Sequence, residues 1–263
     1  MFGINPTDYS YEYKKVLELK HNGIQYIFID EISMVQEQMW CVLAHIKQQF
    51  GFTFVGFGDF KQLKPVGEGH IDFRNSWIVN YVFNNTMCEL TQVHRFNDSK
   101  LLQDAYRCAN GDDINFDDYT KDEHDLCLCW TNQAVDAINQ KWNKRYATGK
   151  QLEVTGFKQC KFILHTGLKL MAYKSLGKRF YNSEGFTVKS FNDKFMCLTS
   201  DDIEINVELK FTNHFKPMSA MTVHKAQGMT INIPYSIYEY KRMKHDMLYV
   251  DLIRAHKIIC NLL

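Results

Sequence analysis

Two apolar runs, Ile24 to Ile29 and Phe52 to Phe57, flank a segment with helical periodicity, Met34 to Gln49. Each run is short and lacks polar alternation, so each reads as a buried-type strand. Strand, helix and strand in this order indicate a parallel α/β sheet. The first run ends on Asp30-Glu31 and the second on Gly58-Asp59. Sheets of this kind build their sites at the carboxyl ends of strands, so these polar residues are the first candidates for chemistry. Ahead of them, Tyr9 to His21 is amphipathic and stops at Asn22-Gly23, which predicts a helix.

Farther along, Met87 to Leu90 and Leu126 to Trp130 read as short strands, and Leu101 to Ala109 and Asn132 to Tyr146 as helices. From about Leu152 to Phe211 the texture changes. Short β-type runs alternate with turns at Gly167, Gly177, Asn182 and Gly185, which suggests a small antiparallel barrel or sheet inserted in the α/β body. Alternation then returns, with a strand at Ser219 to Val223, a helix at His224 to Gly228 and a strand at Met247 to Leu252.

The 263 residues suit one large domain or two small ones, and a hydrophobic share of 45% is enough for a full core. A formal net charge of +1 does not exclude nucleic acid, because a basic groove can be balanced by acid elsewhere. The acids do cluster between Asp112 and Asp125, which reads as a solvated loop. Eight cysteines are present without a CxxC pair, and Cys127 and Cys129 alternate along an apolar run. Free thiols in a reducing compartment are therefore expected, and a zinc site is not. With no leader or bilayer-spanning run visible, the expected setting is intracellular (nucleus or cytoplasm, a viral source included), with no membrane partner.

Tyr26-Ile27-Phe28-Ile29-Asp30-Glu31 has the Walker B pattern. In that pattern the Asp holds Mg²⁺, usually through water, and the Glu orients and deprotonates an attacking water. An acidic pair after a strand is by itself more often a helix cap. Four further strings change the weighing. Gly58-Asp59-Phe60-Lys61-Gln62-Leu63-Lys64-Pro65-Val66 follows after one helix and one strand. Leu90-Thr91-Gln92-Val93-His94-Arg95 comes next, then Met221-Thr222-Val223-His224-Lys225-Ala226-Gln227-Gly228-Met229-Thr230, then Leu248-Tyr249-Val250-Asp251-Leu252-Ile253-Arg254-Ala255.

In order and spacing these strings resemble motifs III, IV, V and VI of superfamily-1 DNA helicases of the RecD/PIF type. The resemblance covers about Gly23 to the end of the chain. It implies that Glu31 is the base, that Gln62 senses the γ-phosphate, and that Arg95 and Arg254 reach that phosphate from the second lobe. It implies Asp30, Asp59, Gln227 and Gly228 as nucleotide-site residues, Asp30 as the Mg²⁺ carboxylate, and Thr222, His224 and Lys225 as DNA contacts. The implied cofactors are ATP and Mg²⁺. The implied partners are single-stranded DNA and DNA duplex junctions. Such arginines suit phosphoryl transfer, which is mostly positioning and charge stabilisation, and related fingers contribute about 10³–10⁵ in rate. Trp130, Phe60 and His94 are weaker candidates for stacking on bases.

Two more segments fit the same branch. Gly167-Leu168-Lys169-Leu170-Met171-Ala172-Tyr173 with Tyr181-Asn182-Ser183-Glu184-Gly185 resembles its SH3-like insert, although the turn departs from the usual Asn-Gly. Leu128-Cys129-Trp130-Thr131-Asn132-Gln133-Ala134-Val135-Asp136-Ala137-Ile138-Asn139 resembles its strand followed by a TN-x-x-VD-x-IN helix. The expected fold is thus α/β. A partial first RecA-like lobe spans residues 1–85, and a second lobe spans 86–150 and 213–263, with an SH3-like β insert at 151–212.

One element of a complete motor is not found among these residues. A P-loop reads G-x-x-x-x-GK-[ST], but Gly149-Lys150 is followed by Gln151 and Gly177-Lys178 by Arg179. With 22 residues ahead of Gly23, the expectation is a fragment or split gene product. It would leave the second strand an open edge and need a P-loop segment or complementing chain. The expected parent activity is ATP-dependent 5′–3′ DNA helicase action in replication, recombination or repair, with this chain inactive alone. The rivals are an RNA helicase of the same superfamily and a non-catalytic module that binds single strands.

Overall fold

The structure, a computed structural model, describes residues 2–5, 7–92, 99–119, 123–200, 203–229, 231, 233–254 and 260–262. It divides into two compact units, Met1–Arg95 and Phe96–Leu263.

In the first unit, helix α1 (Tyr13–His21) precedes strand β1 (Tyr26–Ile29), helix α2 (Glu37–Phe50), strand β2 (Thr53–Gly56) and helix α3 (Trp77–Val82). β1 and β2 are parallel, with Tyr26 opposite Thr53 and Ile29 opposite Gly56. Val16, Trp40, Leu43, Ile46, Val79 and Val82 from the helices pack with Ile27, Phe52 and Phe54 into one core. α2 ends at Gly51, which is left-handed at φ 67° and donates its N–H to Lys47 O. That is the expected stop for a chain turning directly into a strand.

Two expectations shift here. α1 begins at Tyr13, not Tyr9, because Tyr9 has φ 57° and Asp8 accepts from Ser10 N in a local turn. α2 begins at Glu37, after a short 3₁₀ turn at Ile32–Met34 and an extended Gln36. The strands also differ from the buried-type reading. Ile27 is buried, but Tyr26 and Phe28 are 58% and 67% exposed, as is Phe57 at 52%. Among the described residues β2 pairs with β1 only.

In the second unit, helix α4 (Ser99–Asn110) precedes strand β3 (Cys127–Cys129) and helix α5 (Asn132–Tyr146). Seven strands follow: β4 (Leu152–Thr155), β5 (Lys161–Leu164), β6 (Lys169–Ala172), β7 (Gly185–Phe191), β8 (Phe195–Ser200), β9 (Ile203–Glu208) and β10 (Phe215–Pro217). Strand β11 (Ala220–Thr222), helix α6 (Val223–Ala226), strand β12 (Tyr235–Tyr238), helix α7 (His245–Ile253) and strand β13 (Cys260–Leu262) complete it. A parallel sheet runs β11-β3-β12-β13, as the RecA-like reading requires. β4 and β5 form a hairpin, and an antiparallel sheet runs β10-β6-β7-β8-β9 around Leu170, Val188, Met196, Leu198 and Phe215. The antiparallel insert thus continues to Pro217 through the pairing of β10 with β6.

Two strand expectations are overturned. Met247 to Leu252 lies in α7, a helix with Leu248, Val250, Asp251, Leu252 and Ile253 all buried. A short, mostly apolar run that is buried on every side gives no period to separate a helix from a strand. The strand of that region is β12, which the sequence did not reveal. Met87 to Leu90 forms no strand, with Met87 56% and Leu90 90% exposed.

The TN-x-x-VD-x-IN string has a physical account. Thr131 caps α5 by accepting from Ala134 N at 3.1 Å, and Glu239 accepts from Thr131 N at 3.0 Å. Asp136 pairs with the buried Lys216 at 2.7 Å. Asn139 is buried, and its Oδ1 accepts from Ser219 N and Ala220 N at 2.9 and 2.8 Å. Its Nδ2 donates to Ala220 O at 3.2 Å. Asn143 does the same for Ile163 on β5, donating to its carbonyl and accepting from its N–H. One helix face therefore ties the parallel sheet to the insert. Asn139→Ala leaves the buried Ala220 amide and the part-buried Ser219 amide unpaired and should cost about 2–4 kcal/mol. Urea titration should show a lower midpoint at unchanged slope, and an unmoved midpoint would refute the bridging role.

Candidate functional site

The first group of candidates sits where β1 and β2 end. Parallel pairing in register delivers Asp30-Glu31 and Gly58-Asp59 to the same end of the sheet. Two backbone bonds hold these loops together: Phe57 N donates to Ile29 O at 2.8 Å, and Ile32 N to Phe57 O at 3.1 Å. Gly58 makes this approach possible, since a Cβ there would lie 2.8 Å from Ile32 N. Glu31 is left-handed, at φ 51° and ψ 50°, and half-buried. A non-glycine residue held there stores about 1–3 kcal/mol of strain, a common property of functional positions. The exposed Asp30 accepts from Glu31 N at 2.9 Å. Asp59 accepts from Lys61 N through its side chain and from Gln62 N through its carbonyl, a tight turn that brings Gln62 back to the strand ends. Leu63 and Pro65 are buried and anchor the string.

A hard cation with water in its shell suits this place. Asp30 is an exposed carboxylate at a strand end, and no group of three or more metal-type side chains lies close enough among the described residues to bind a bare ion. Mg²⁺ keeps waters and takes one or two carboxylates plus phosphates, so the donors fit.

The second group lies in the second unit. Thr222 ends β11 and caps α6, its Oγ1 accepting from Lys225 N at 3.2 Å. His224 is half-buried, and burial lowers its pKa against the opposing pull of Asp246. The imidazole is therefore neutral at pH 7 and presents a hydrogen-bonding ring, not a charge. Lys225 turns to the insert, donating to Ser183 Oγ at 2.7 Å and Asn182 Oδ1 at 3.1 Å, and lies 5.0 Å from the Tyr173 ring centre. Gln227 and Gly228 form the turn after α6, with Gly228 at φ 81°. Arg254 is 3% exposed, caps α7, donates to Met229 O at 3.2 Å and accepts through its carbonyl from Ile231 N at 3.1 Å. Arg254 is thus tied to the segment that follows the Gln227–Gly228 turn, and the guanidinium expected to reach a phosphate is buried.

Beside Arg254, burial raises the Asp251 carboxyl well above the usual range, with the arginine pulling it back. Arg95 and His94 lie outside the described residues. Of the stacking candidates, Trp130 carries the Arg242 guanidinium 4.9 Å from its ring centre, and Phe60 packs on the first core. Cys127 and Cys129 are buried, and desolvation pushes the Cys127 thiol up to about 12, which opposes thiolate ligation. Asn139, Asn143 and Glu239 were not singled out beforehand, although Asn139 closes the TN-x-x-VD-x-IN string.

The sequence profile of an AAA domain matches residues 7–125. No curated protein matches the sequence. Among solved structures, one of two Pif1 helicases coordinating at forked duplex DNA superposes with a TM-score of 0.73 at 20% identity, over 98% of this chain and 74% of that one. This chain has the fold of these Pif1 helicases. The Bacteroides Pif1 complex with ADP-AlF3 and single-stranded DNA gives 0.69 at 19% identity, covering 98% and 75%. The Pif1 helicase of Candida albicans gives 0.66 at 16%, covering 95% and 76%. In this Pif1-type frame the strand-end carboxylates belong to the first unit and the Thr222-to-Gly228 segment to the second. No described helix is long and apolar enough to cross a membrane.

Gly58→Ala should force the acidic loop and the 58–62 turn apart, lowering stability by about 1–3 kcal/mol in a denaturant titration. An unchanged midpoint would show that the close approach does not matter. For His224, the folded pKa lies below the unfolded value near 6.5. The unfolded state then binds more protons in that window, so stability falls as pH drops through it. Melting curves from pH 8 to pH 5 should show this loss blunted in His224→Asn, and equal slopes would contradict it.

Proposed function

We propose that this chain is the motor portion of an ATP-dependent 5′–3′ DNA helicase, which translocates on single-stranded DNA and opens duplex junctions. The observation that carries the reading is the strand-end cluster. The loops that carry Asp30, Glu31, Asp59 and Gln62 lie at the same end of two parallel strands in a Pif1-type fold.

Bound ATP with Mg²⁺ supplies a transferable phosphoryl group whose negative charge the metal offsets. The chain's residues act around it. Asp30 would hold the metal through its water shell. Glu31, fixed by its left-handed backbone, orients and deprotonates the attacking water. Gln62, at the end of the Asp59 turn, reports the phosphate's presence. Arg95 and Arg254 add positive charge to the transferred group. Thr222 offers a hydroxyl and His224 a neutral ring to strand phosphates, both compatible with sequence-independent contact. The antiparallel insert is the SH3-like element of the branch.

The 263 residues contain no P-loop string, so phosphate cradling has to come from residues beyond them, on the same or another chain. The exposed side of β1 suits such a completing segment. Tyr26, Phe28 and Phe57 form an apolar surface, with Phe28 and Phe57 stacked at 6.1 Å, where parallel sheets are normally covered. The missing string also favours a second reading, a module that binds single strands without turnover. Free thiols at Cys41 and Cys88 suit a reducing compartment.

The test is single-strand-stimulated ATP hydrolysis, with and without a P-loop-bearing segment supplied in trans. Turnover should require that segment, and Glu31→Gln should lower kcat about 10²–10⁴-fold, the usual worth of a general base. Steady turnover by the chain alone would overturn the need for a completing segment. An unaffected Glu31→Gln kcat would overturn the base. Strand binding with no turnover under any supplement would favour the binding module.

A further inference from the structure

The ring of Phe83, the residue after α3, ends against Gly56, the last residue of β2. A Cβ on Gly56 would lie 2.4 Å from Phe83 Cζ and 2.9 Å from Ile32 Cγ2. Phe83, Ile32 and the end of β2 therefore meet with no room for a methyl group. Ile32 is buried and directly follows Glu31. Trp40, buried in α2, packs edge-on to Phe83 with ring centres 5.5 Å apart. The half-buried Phe83 ring thus sits at the root of the acidic loop, against the first core.

The segment that carries Phe83 is fastened from α2 as well. Lys47 donates to Tyr81 O and Val82 O at 2.7 Å and to Asn84 Oδ1 at 2.6 Å. An ammonium has three donors, and all three go to the end of α3, where helix carbonyls lack partners and a cation is favoured. Asn84 and Asn85 follow, both left-handed, at φ 56° and 53°. Asparagine enters that region more readily than most residues, but two in a row make a strained, sharply turned exit. Asn85 N closes the turn on Asn80 O at 2.7 Å. Residues 86–92 then run exposed and without regular structure. α2 starts just after the acidic loop and carries Lys47 in its last turn. The loop and the exit are therefore joined twice, once through Ile32 and Phe83 and once along α2.

We propose that Phe83 is a positioning residue for Glu31, which through Ile32 ties the acidic loop to the turn where the chain leaves the first unit. This deepens the helicase reading, on which the role of Glu31 rests. Packed cores shift between discrete arrangements and do not deform continuously. A change in the Glu31 loop and a change in the Asn84–Asn85 turn therefore occur together, as one step.

The tie is read without nucleotide, by amide hydrogen exchange of the full chain. Lys47→Met keeps the stem, removes the three bonds to residues 81–84 and leaves the acidic loop untouched. It should still speed exchange of the Ile32 amide, which donates to Phe57 O. The expected gain is at least about 5-fold relative to the α1 amides, the low end of ordinary coupling between sites. Gly56→Ala should speed the Ile32 and Asn85 amides together. Adding Phe83→Leu makes room for the methyl group and should slow both again, a rescue that two independent losses of packing do not give. An Ile32 amide unmoved in Lys47→Met, or moved no more than the α1 amides, overturns the tie. Effects that simply add in the Gly56→Ala/Phe83→Leu variant overturn the role of Phe83. No nucleotide enters, so either failure leaves the helicase reading standing. Failure of turnover with the tie intact strikes the helicase reading and the role of Glu31, and leaves the tie.

Discussion

The parallel pairing of β1 with β2 is the constraint on which the rest of the first unit depends. The in-register ladder from Tyr26–Thr53 to Ile29–Gly56 fixes where both strands stop. The two inter-loop bonds carry that alignment one step past the sheet, and Gly58 lets the backbones touch. The loops that carry Asp30, Glu31, Asp59 and Gln62 are thereby held at one end of the sheet. The strain at Glu31 is held by this frame, because the buried Ile32 and the Phe57 carbonyl leave its backbone little choice. A site built from strand ends inherits the rigidity of the core beneath it.

The second unit solves a different problem. It has to fasten an antiparallel sheet to a parallel one, and α5 does so with side-chain amides. Asn139 serves the strand leading to Thr222, and Asn143 serves β5. Buried amides of this kind specify one arrangement, since a slipped register would leave donors and acceptors unpaired. Lys225 adds a third tie, from the α6 start to the Asn182–Ser183 turn. A residue that resemblance assigns to DNA is thus also a link between the α6 start and the insert.

Much of this was legible along the chain, for identifiable reasons. Asp30-Glu31 and Gly58-Asp59 were found because short apolar runs ended on polar residues. α5 was found because Thr131 caps it and its apolar face repeats at helical spacing. The antiparallel insert was found from its turns. What could not be read was whatever depends on partners distant in sequence. Met247 to Leu252 is mostly apolar with no clear period, so only the surrounding packing decides that it is a helix. The burial of Arg254 follows from its bond to Met229, a contact without a local signal. The approach of Phe83 to Gly56 joins residues on separate elements, and nothing in their spacing announces it.

The central claim is that the two loops at the ends of β1 and β2 act as one nucleotide-facing unit. Hydrogen exchange of residues 30–34 and 57–62 tests this most directly. It should be measured with Mg²⁺ and ADP–aluminium fluoride, in the presence of a P-loop-bearing segment. The account predicts that both loops gain protection together, and that Asp30→Asn abolishes the gain in both. Protection of neither loop, or of one without the other, would contradict it.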